Sequence, residues 1–397
     1  MRLCGIGKFS NFVKSGTEAY ILNASRPGQA PTERFEIMIS TDGPRWHNIH
    51  EPYNCVVDKP KKESKLKGLK SFIAYQLTPS FNGIQVSRRY KHFDWLHERL
   101  SEKFILTPIP PLPEKQVAGK FDEELIEHRK QILQLWVDKI CRHPIMSQSE
   151  VWMHFLTCTD EKKWKQGKRK AEKDEFLGGH FFASVSVPAE PLNQLDVNNR
   201  VEQFSRTAKS LDDSVRQLFE RTTDVAKKMT GVYRRDFEKF GLAFDSLANS
   251  FCLDDSEQTA SITDAIRNTA AAYHTVGDLY ENQPRQDMEP FMDALYKYKG
   301  MLAAIPDTIA VQRSAVAKLK DQERLVEEEK VSASESEAVR QRVDTISYIT
   351  LAEMQHFRDE QRLDFKQSMT ALLQNQIVFY QQIVTTLQGA VQKFEDA

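Results

Sequence analysis

The segment Arg88-Arg89-Tyr90-Lys91-His92-Phe93-Asp94-Trp95-Leu96 gathers the side chains best suited to anion chemistry. A guanidinium is a planar fork that meets phosphate oxygens two at a time. A tyrosine ring beside it can lie flat against a sugar-like ring. On residue types alone the alternative stands open: a strand-end arginine paired to a carboxylate, and a tyrosine in the core. A second basic run, Lys162–Lys170, reads KKWKQGKRK, six basic residues in nine with no acid. Near an anionic lipid surface each such residue contributes about 1 kcal/mol, and Trp164 suits the headgroup layer. A solvated basic linker, a nuclear-localisation signal or a nucleic-acid patch would read the same way. In a third stretch Lys59, Lys61, Lys62, Lys65, Lys67 and Lys70 stand against Glu63. It reads as a strand-connecting loop, except that Lys70 opens a strand and is held there.

The patterns of catalysis are missing. The chain has no G-x-S-x-G, H-E-x-x-H, P-loop or G-x-G-x-x-G, and its ten histidines show no metal-ligand spacing with cysteine. This predicts a protein that is not an enzyme and takes neither metal nor cofactor. The five cysteines include no C-x-x-C pair. With no secretory signal before them, they read as reduced thiols in the cytoplasm. No apolar run approaches the length of a membrane-spanning helix.

The elements that must position these side chains follow from proline and charge. Of 397 residues, the first 170 carry 29 Lys and Arg against 19 Asp and Glu, and the remainder 26 against 37. The net charge of -1 therefore hides a basic half beside an acidic one. Thirteen of sixteen prolines lie at or before Pro191. Because proline ends helices, the first half is punctuated and the second is long helices. Strands are expected over Arg34–Ile39, Tyr53–Val57, Ser71–Leu77 and Ile84–Tyr90, with a turn at Asp42-Gly43-Pro44. Helices are expected over Lys91–Lys103, with Phe93, Leu96 and Leu100 on one face, and over Asp122–Arg142 and Ser147–Phe155. Pro108–Pro113 contains PxxP but lies between two of these helices. It reads as a structural loop rather than a free Src-homology-3 ligand, with Lys115 behind it placed to reach a ligand.

In the second half Val201, Phe204, Ala208, Leu211, Val215, Leu218, Thr222, Val225, Met229 and Val232 repeat at spacings of 3 and 4. After a stutter the repeat resumes at Phe237, Phe240, Phe244, Leu247 and Phe251. It returns in Leu373, Ile377, Tyr380, Val384, Leu387, Val391 and Phe394. This is a coiled-coil seam. A middle helical stretch is interrupted by Pro284, Pro290 and Pro306. Three helices of roughly 50–70 residues would each extend on the order of 75–105 Å, which predicts an elongated antiparallel three-helix bundle that buries part of its aromatic face against a second copy.

The strings LKSFIAYQLTP, RYKHFDWL, LPEKQ, WKQGKRKAEKDE and ENQPRQD resemble those of sorting nexins of the Src-homology-3, PX and BAR subfamily. The likeness runs from about Phe9 to the end. It implies a multidomain chain: an α+β PX domain with a three-stranded antiparallel sheet, and an all-α, elongated three-helix BAR coiled coil. The expected division is a yoke segment over 1–32, the PX domain over 33–160, a basic linker over 161–200 and the BAR domain over 201–397. The resemblance implies a phosphoinositide pocket in which Arg89 binds phosphate, Tyr90 packs on the inositol, and Lys70, Lys115 and Arg129 close the site. It implies membrane-binding basic residues Lys162, Lys163, Lys165, Lys168, Arg169 and Lys170 at the junction, and Lys318, Lys320 and Arg324 near a helix tip. It further implies a homodimer that tubulates membrane in endocytosis, peripheral at the plasma membrane, clathrin-coated pits and endocytic vesicles, without nucleic acid. Dynamin and actin-nucleation factors are implied only for a longer parent carrying the Src-homology-3 domain, which these residues lack. A coiled-coil scaffold for cytoskeletal or signalling partners is the competing expectation.

Overall fold

The structure is a computed structural model and describes residues 16–23, 28, 30–48, 51–65, 70–115, 122–253 and 257–397. These form two compact units. The first holds the described residues up to Asp212 together with Lys297–Glu360, and the second holds Asp213–Tyr296 and Gln361–Ala397.

In the first unit a short helix, α1, covers 16–22. Strands β1 (Phe35–Ser40), β2 (Gly43–Trp46), β3 (Cys55–Lys65), β4 (Lys70–Pro79) and β5 (Val86–Arg89) follow. β3, β4 and β5 make an antiparallel sheet in that order, as expected of the PX-like half. The first expected strand does not join it. β1 pairs antiparallel with β2 and parallel with β6 (Val185–Ser186), forming a second sheet in the order β2-β1-β6. A two-residue strand carries too little sequence pattern to be seen in advance. The reversal at Asp42-Gly43 holds, with Gly43 at φ 110, a conformation that side chains resist.

Helices α2 (Tyr90–Lys103), α3 (Glu123–Arg142) and α4 (Glu150–Thr157) cover the β3–β5 sheet. Phe93, Leu96 and Leu100, predicted on one face of α2, are fully buried. Asp122 caps α3, its carboxylate accepting from the Leu125 amide, and α3 buries Leu133, Trp136, Val137 and Ile140. Gln134 ties α3 to β3: its side-chain oxygen accepts from the Val57 amide at 2.6 Å and its nitrogen donates to the Cys55 carbonyl at 2.9 Å.

The proline loop is structural, as its position between helices implies. Pro108 to Pro110 are buried, and Trp136 Nε1 donates to the Pro110 carbonyl at 3.0 Å. Gly300 supplies the close approach on the other side, since a Cβ there would collide with the Pro111 ring. Alanine ordinarily improves a helix interior over glycine by about 1 kcal/mol. Gly300→Ala is nevertheless expected to lower the melting temperature, because overpacking costs about 1–3 kcal/mol. A rise in thermal unfolding would show the contact to be loose.

The basic run is helical. Lys162–Lys170 lies in helix α5 (Glu161–Ala171), started by Asp160, whose carboxylate accepts from the Lys163 amide at 2.7 Å. Lys168, Arg169 and Lys170 in its last turn suit the negative end of the helix dipole.

The long helices are α6 (Gln194–Lys228), α7 (Arg234–Phe251), α8 (Glu257–Gln286), α9 (Met288–Glu327) and α10 (Ala333–Glu395). The stutter between Val232 and Phe237 has a structural cause: Met229–Tyr233 is a π-helical turn joining α6 to α7. Such a turn absorbs one extra residue and returns the seam to register. Of the three prolines, Pro284 and Pro290 flank a break at Asp287, whereas Pro306 sits inside α9 without ending it. In the second unit Phe237 stacks on Tyr280 at 5.1 Å, Phe244 stacks on Tyr273 at 5.5 Å, and Phe379 of α10 meets Tyr280 edge-on at 5.0 Å.

Candidate headgroup site

Two adjacent arginines end β5, and strand alternation sends them to opposite faces. Arg88 opposes Tyr75 and Arg89 opposes Ala74 on β4. Arg88 is buried. Its Nε donates to the Phe155 carbonyl at 2.9 Å and Nη2 to the Cys158 carbonyl at 2.7 Å, and the guanidinium lies 4.2 Å from the Trp164 ring centre. Burial pushes its pKa down to about 10, so it remains charged at neutral pH. Arg88 is therefore a structural arginine, with backbone carbonyls as its partners in place of the carboxylate expected of that alternative.

Arg89 occupies the N-cap position of α2 without capping it, and the first turn of that helix holds no acid. The exposed amides of a helix start favour an anion. The Arg89 guanidinium sits 5.1 Å from the Phe72 ring, and its Nε donates to His92 Nε2 at 3.3 Å. Tyr90, the next residue, donates its hydroxyl to the Pro113 carbonyl at 2.5 Å. Arg129 lies 4.8 Å from the Tyr90 ring centre and donates to the Glu114 carbonyl at 3.0 Å. Lys115 pairs with Asp94 of α2 at 3.1 Å and is mostly exposed.

Tyr90, Arg129 and Lys115 thus meet at one corner, around the N-terminus of α2 and the end of the proline loop, with Arg89 at its edge. Lys70 begins β4, but its side chain lies outside the described residues, as do 66–69 of the lysine-rich stretch. His92, named within the Arg88–Leu96 segment but given no role there, and Phe72 hold the Arg89 guanidinium. His92 lies three residues from Arg89, a spacing that puts the two within reach across the first helical turn.

The expected headgroup-layer role of Trp164 is corrected. Its ring is buried, stacked on His154 at 5.2 Å and edge-on to Trp95 at 5.6 Å. Gly167 leaves the room the His154 ring needs. On the same helix Lys162, Lys163 and Arg169 are exposed, while Lys165 pairs with Glu161, Lys170 with Glu150, and Lys168 Nζ stands 4.7 Å from the Trp95 ring centre. Near the end of α9 Lys318 pairs with Glu18 at 2.7 Å, and Lys320 and Arg324 are exposed.

Among the described residues no helix is long and apolar enough to cross a membrane. Residues 160–395 match the family model described as the WASP-binding domain of sorting nexin protein, and residues 76–159 match the PX domain. The chain is 48% identical to sorting nexin lst-4 of Caenorhabditis elegans, covering 98% of this chain and 68% of that one. It is 39% identical to mouse sorting nexin-33 over the same shares, and 42% identical to mouse sorting nexin-18 over 89% of this chain and 58% of that one. A cryo-electron-microscopy structure of the SNX-BAR Mvp1 tetramer superposes with a TM-score of 0.62 at 16% identity, covering 85% of this chain and 99% of its own, a likeness of fold. The chain belongs to the sorting nexins that join a PX domain to a BAR-type helical domain, a non-enzymatic family of membrane-associated trafficking proteins.

Proposed function

We propose that the chain reads a phosphoinositide headgroup at Arg89 and, as a homodimer, bends the membrane it binds. The observation that carries this reading is Arg89 itself, half-buried at the uncapped, acid-free start of α2, with Phe72 and His92 fixing its guanidinium. A phosphate placed there gains both the fork and the helix amides. Tyr90, Lys115 and Arg129 border the same corner and supply a ring and two further cations. Lys162, Lys163 and Arg169 on α5, with Lys320 and Arg324 on α9, add sequence-independent attraction to anionic lipid. The setting in this reading is endocytosis, at the plasma membrane, clathrin-coated pits and endocytic vesicles.

The dimer rests on α10. Leu373, Ile377, Tyr380, Val384, Val391 and Phe394 keep the seam spacing and are all exposed. A contiguous apolar stripe of this kind marks an association surface, and a second copy offers the matching stripe. Ile377→Asp is expected to convert the protein from twice its chain mass of 45.8 kDa to a monomer in sedimentation equilibrium. A strictly monomeric unmodified chain would sink the dimer.

The direct test is co-sedimentation with vesicles of defined composition, followed by electron microscopy. Binding should require phosphoinositide, weaken with salt and produce tubules. Binding indifferent to phosphoinositide content, with no tubules, would leave the coiled-coil scaffold as the better reading.

A further inference from the structure

Gln312 of α9 is completely buried, and neither its side-chain oxygen nor its nitrogen has a hydrogen-bond partner. A buried carboxamide in that state bears the full cost of leaving water. Leucine would fill the same helix position without that cost, so packing does not account for the amide.

Gln312 lines a cavity of about 420 Å³ between α6 and α9, wholly within the first unit. That volume is of ligand-binding size. Spacings of four put Gln312, Val316 and Lys320 along one face of α9, and Asn198 and Glu202 along the facing side of α6. Asn198 is half-buried and Asn199 exposed, and neither side chain is hydrogen-bonded among the described residues. Val201, Val316 and Ala317 supply small apolar side chains between them. At the rim Glu202 and Arg313 pair at 2.5 Å and cancel each other's charge. Lys320 is exposed, with no ion-pair partner among the described residues. The cavity thus gathers three unpaired carboxamides, a small apolar floor and one uncompensated cation. None of these residues belongs to the headgroup corner.

A carboxamide offers an acceptor and two donors in one plane. Its complement is a peptide group, which presents a carbonyl and an N–H together. Phosphate matches this lining poorly, because the carboxamide oxygens would face an anion and Lys320 alone would offset it. We propose that the cavity binds an extended peptide segment of a partner protein. Gln312, Asn198 and Asn199 read its backbone, the floor takes a small apolar side chain, and Lys320 takes an acidic one. Gln312, shielded in the free chain, turns toward the cavity as the peptide enters.

The test uses the full chain with isotope-labelled valine methyl groups, followed by magnetic resonance as peptide is added. The probes are acetyl-Asp-Val-Ala-Val-amide, its analogue with lysine in place of aspartate, the acidic peptide N-methylated at its Ala–Val bond, and inorganic phosphate. The acidic peptide should shift the Val201 and Val316 methyls saturably. N-methylation should weaken it about tenfold, the worth of a lost backbone hydrogen bond. Lys320→Gln should weaken it about threefold, as for an exposed ion pair. Gln312→Leu should weaken it about tenfold while raising the melting temperature of the free chain. Asn199→Ala, on the open surface, should weaken it without moving the melting temperature. No shift at the two valines with any peptide would overturn the proposal, as would equal binding of the acidic and lysine peptides or indifference to N-methylation. A fall in melting temperature for Gln312→Leu, with peptide affinity unchanged, would make the amide structural and overturn its role. Shifts produced by inorganic phosphate alone would make the cavity an anion site and overturn the peptide assignment.

Discussion

Arg88→Gln and Arg89→Gln are expected to give opposite phenotypes although they alter neighbouring residues in the same way. Arg88→Gln removes the donors to the Phe155 and Cys158 carbonyls and the cation beside Trp164. Each buried acceptor left unpaired costs about 1–3 kcal/mol, so the strand–helix module should lose about 3 kcal/mol or more, seen as an early transition in urea unfolding. Arg89→Gln takes away a half-buried side chain whose contacts among the described residues include one ring and one imidazole. Its stability should move by no more than about 0.5 kcal/mol. Its affinity for phosphoinositide vesicles should fall about 30-fold or more, the usual consequence of losing one partner of a desolvated charge pair. Equal destabilisation by the two changes would mean that Arg89 is structural, and undiminished vesicle binding would remove it from the site.

That contrast shows where the sequence is readable and where it stops. Period-two alternation places Arg88 and Arg89 on opposite faces, but which face is the core depends on Phe155, Cys158 and Trp164, nearly 70 or more residues away. Periodicity carries the helices well: Phe93, Leu96 and Leu100 are buried as expected, and the irregular spacing before Phe237 is the π-helical turn. The same α10 stripe that a seam requires is exposed here, because periodicity reports a sticky face and not its partner. Trp164 misled because an aromatic among lysines suits a headgroup layer by composition. Its neighbours in space are Arg88, His154 and Trp95, and these make it core. His92 carries no role in the sequence for a related reason: a histidine gains meaning only when its acceptor nitrogen faces a donor, here Arg89 Nε.

Glu360→Gln is expected to cost about 3–5 kcal/mol, the penalty for breaking a buried ion pair from one side. Glu360 of α10 accepts from Lys139 at 2.9 Å and from Arg142 at 2.8 Å, both on α3, and Lys139 is almost completely buried. Neutralising the carboxylate removes the charge that both cations share, so unfolding should begin earlier in denaturant. Beside it, Glu353 joins His143 at 3.3 Å and accepts from Trp46 Nε1 at 2.7 Å, and His143 lies against His356 at 4.5 Å. Two titrations follow. Burial lowers the His356 pKa well below its ordinary 6.5, aided by His143, Lys139 and Arg142, so the folded protein binds fewer protons than the unfolded chain as pH falls through that value. Stability is then lost below about pH 6.5, by at most about 1.4 kcal/mol per pH unit for one group. Burial alone would raise the Glu360 pKa, but Lys139 and Arg142 outweigh it and hold the carboxyl below its ordinary 4.5. Its contribution is intact above that value and disappears as pH falls through the folded pKa. Melting temperatures measured between pH 7.5 and 3.5 should therefore decline in two stages. His356→Leu should abolish the upper stage and Glu360→Gln the lower. An upper decline that survives His356→Leu would assign that proton to another group.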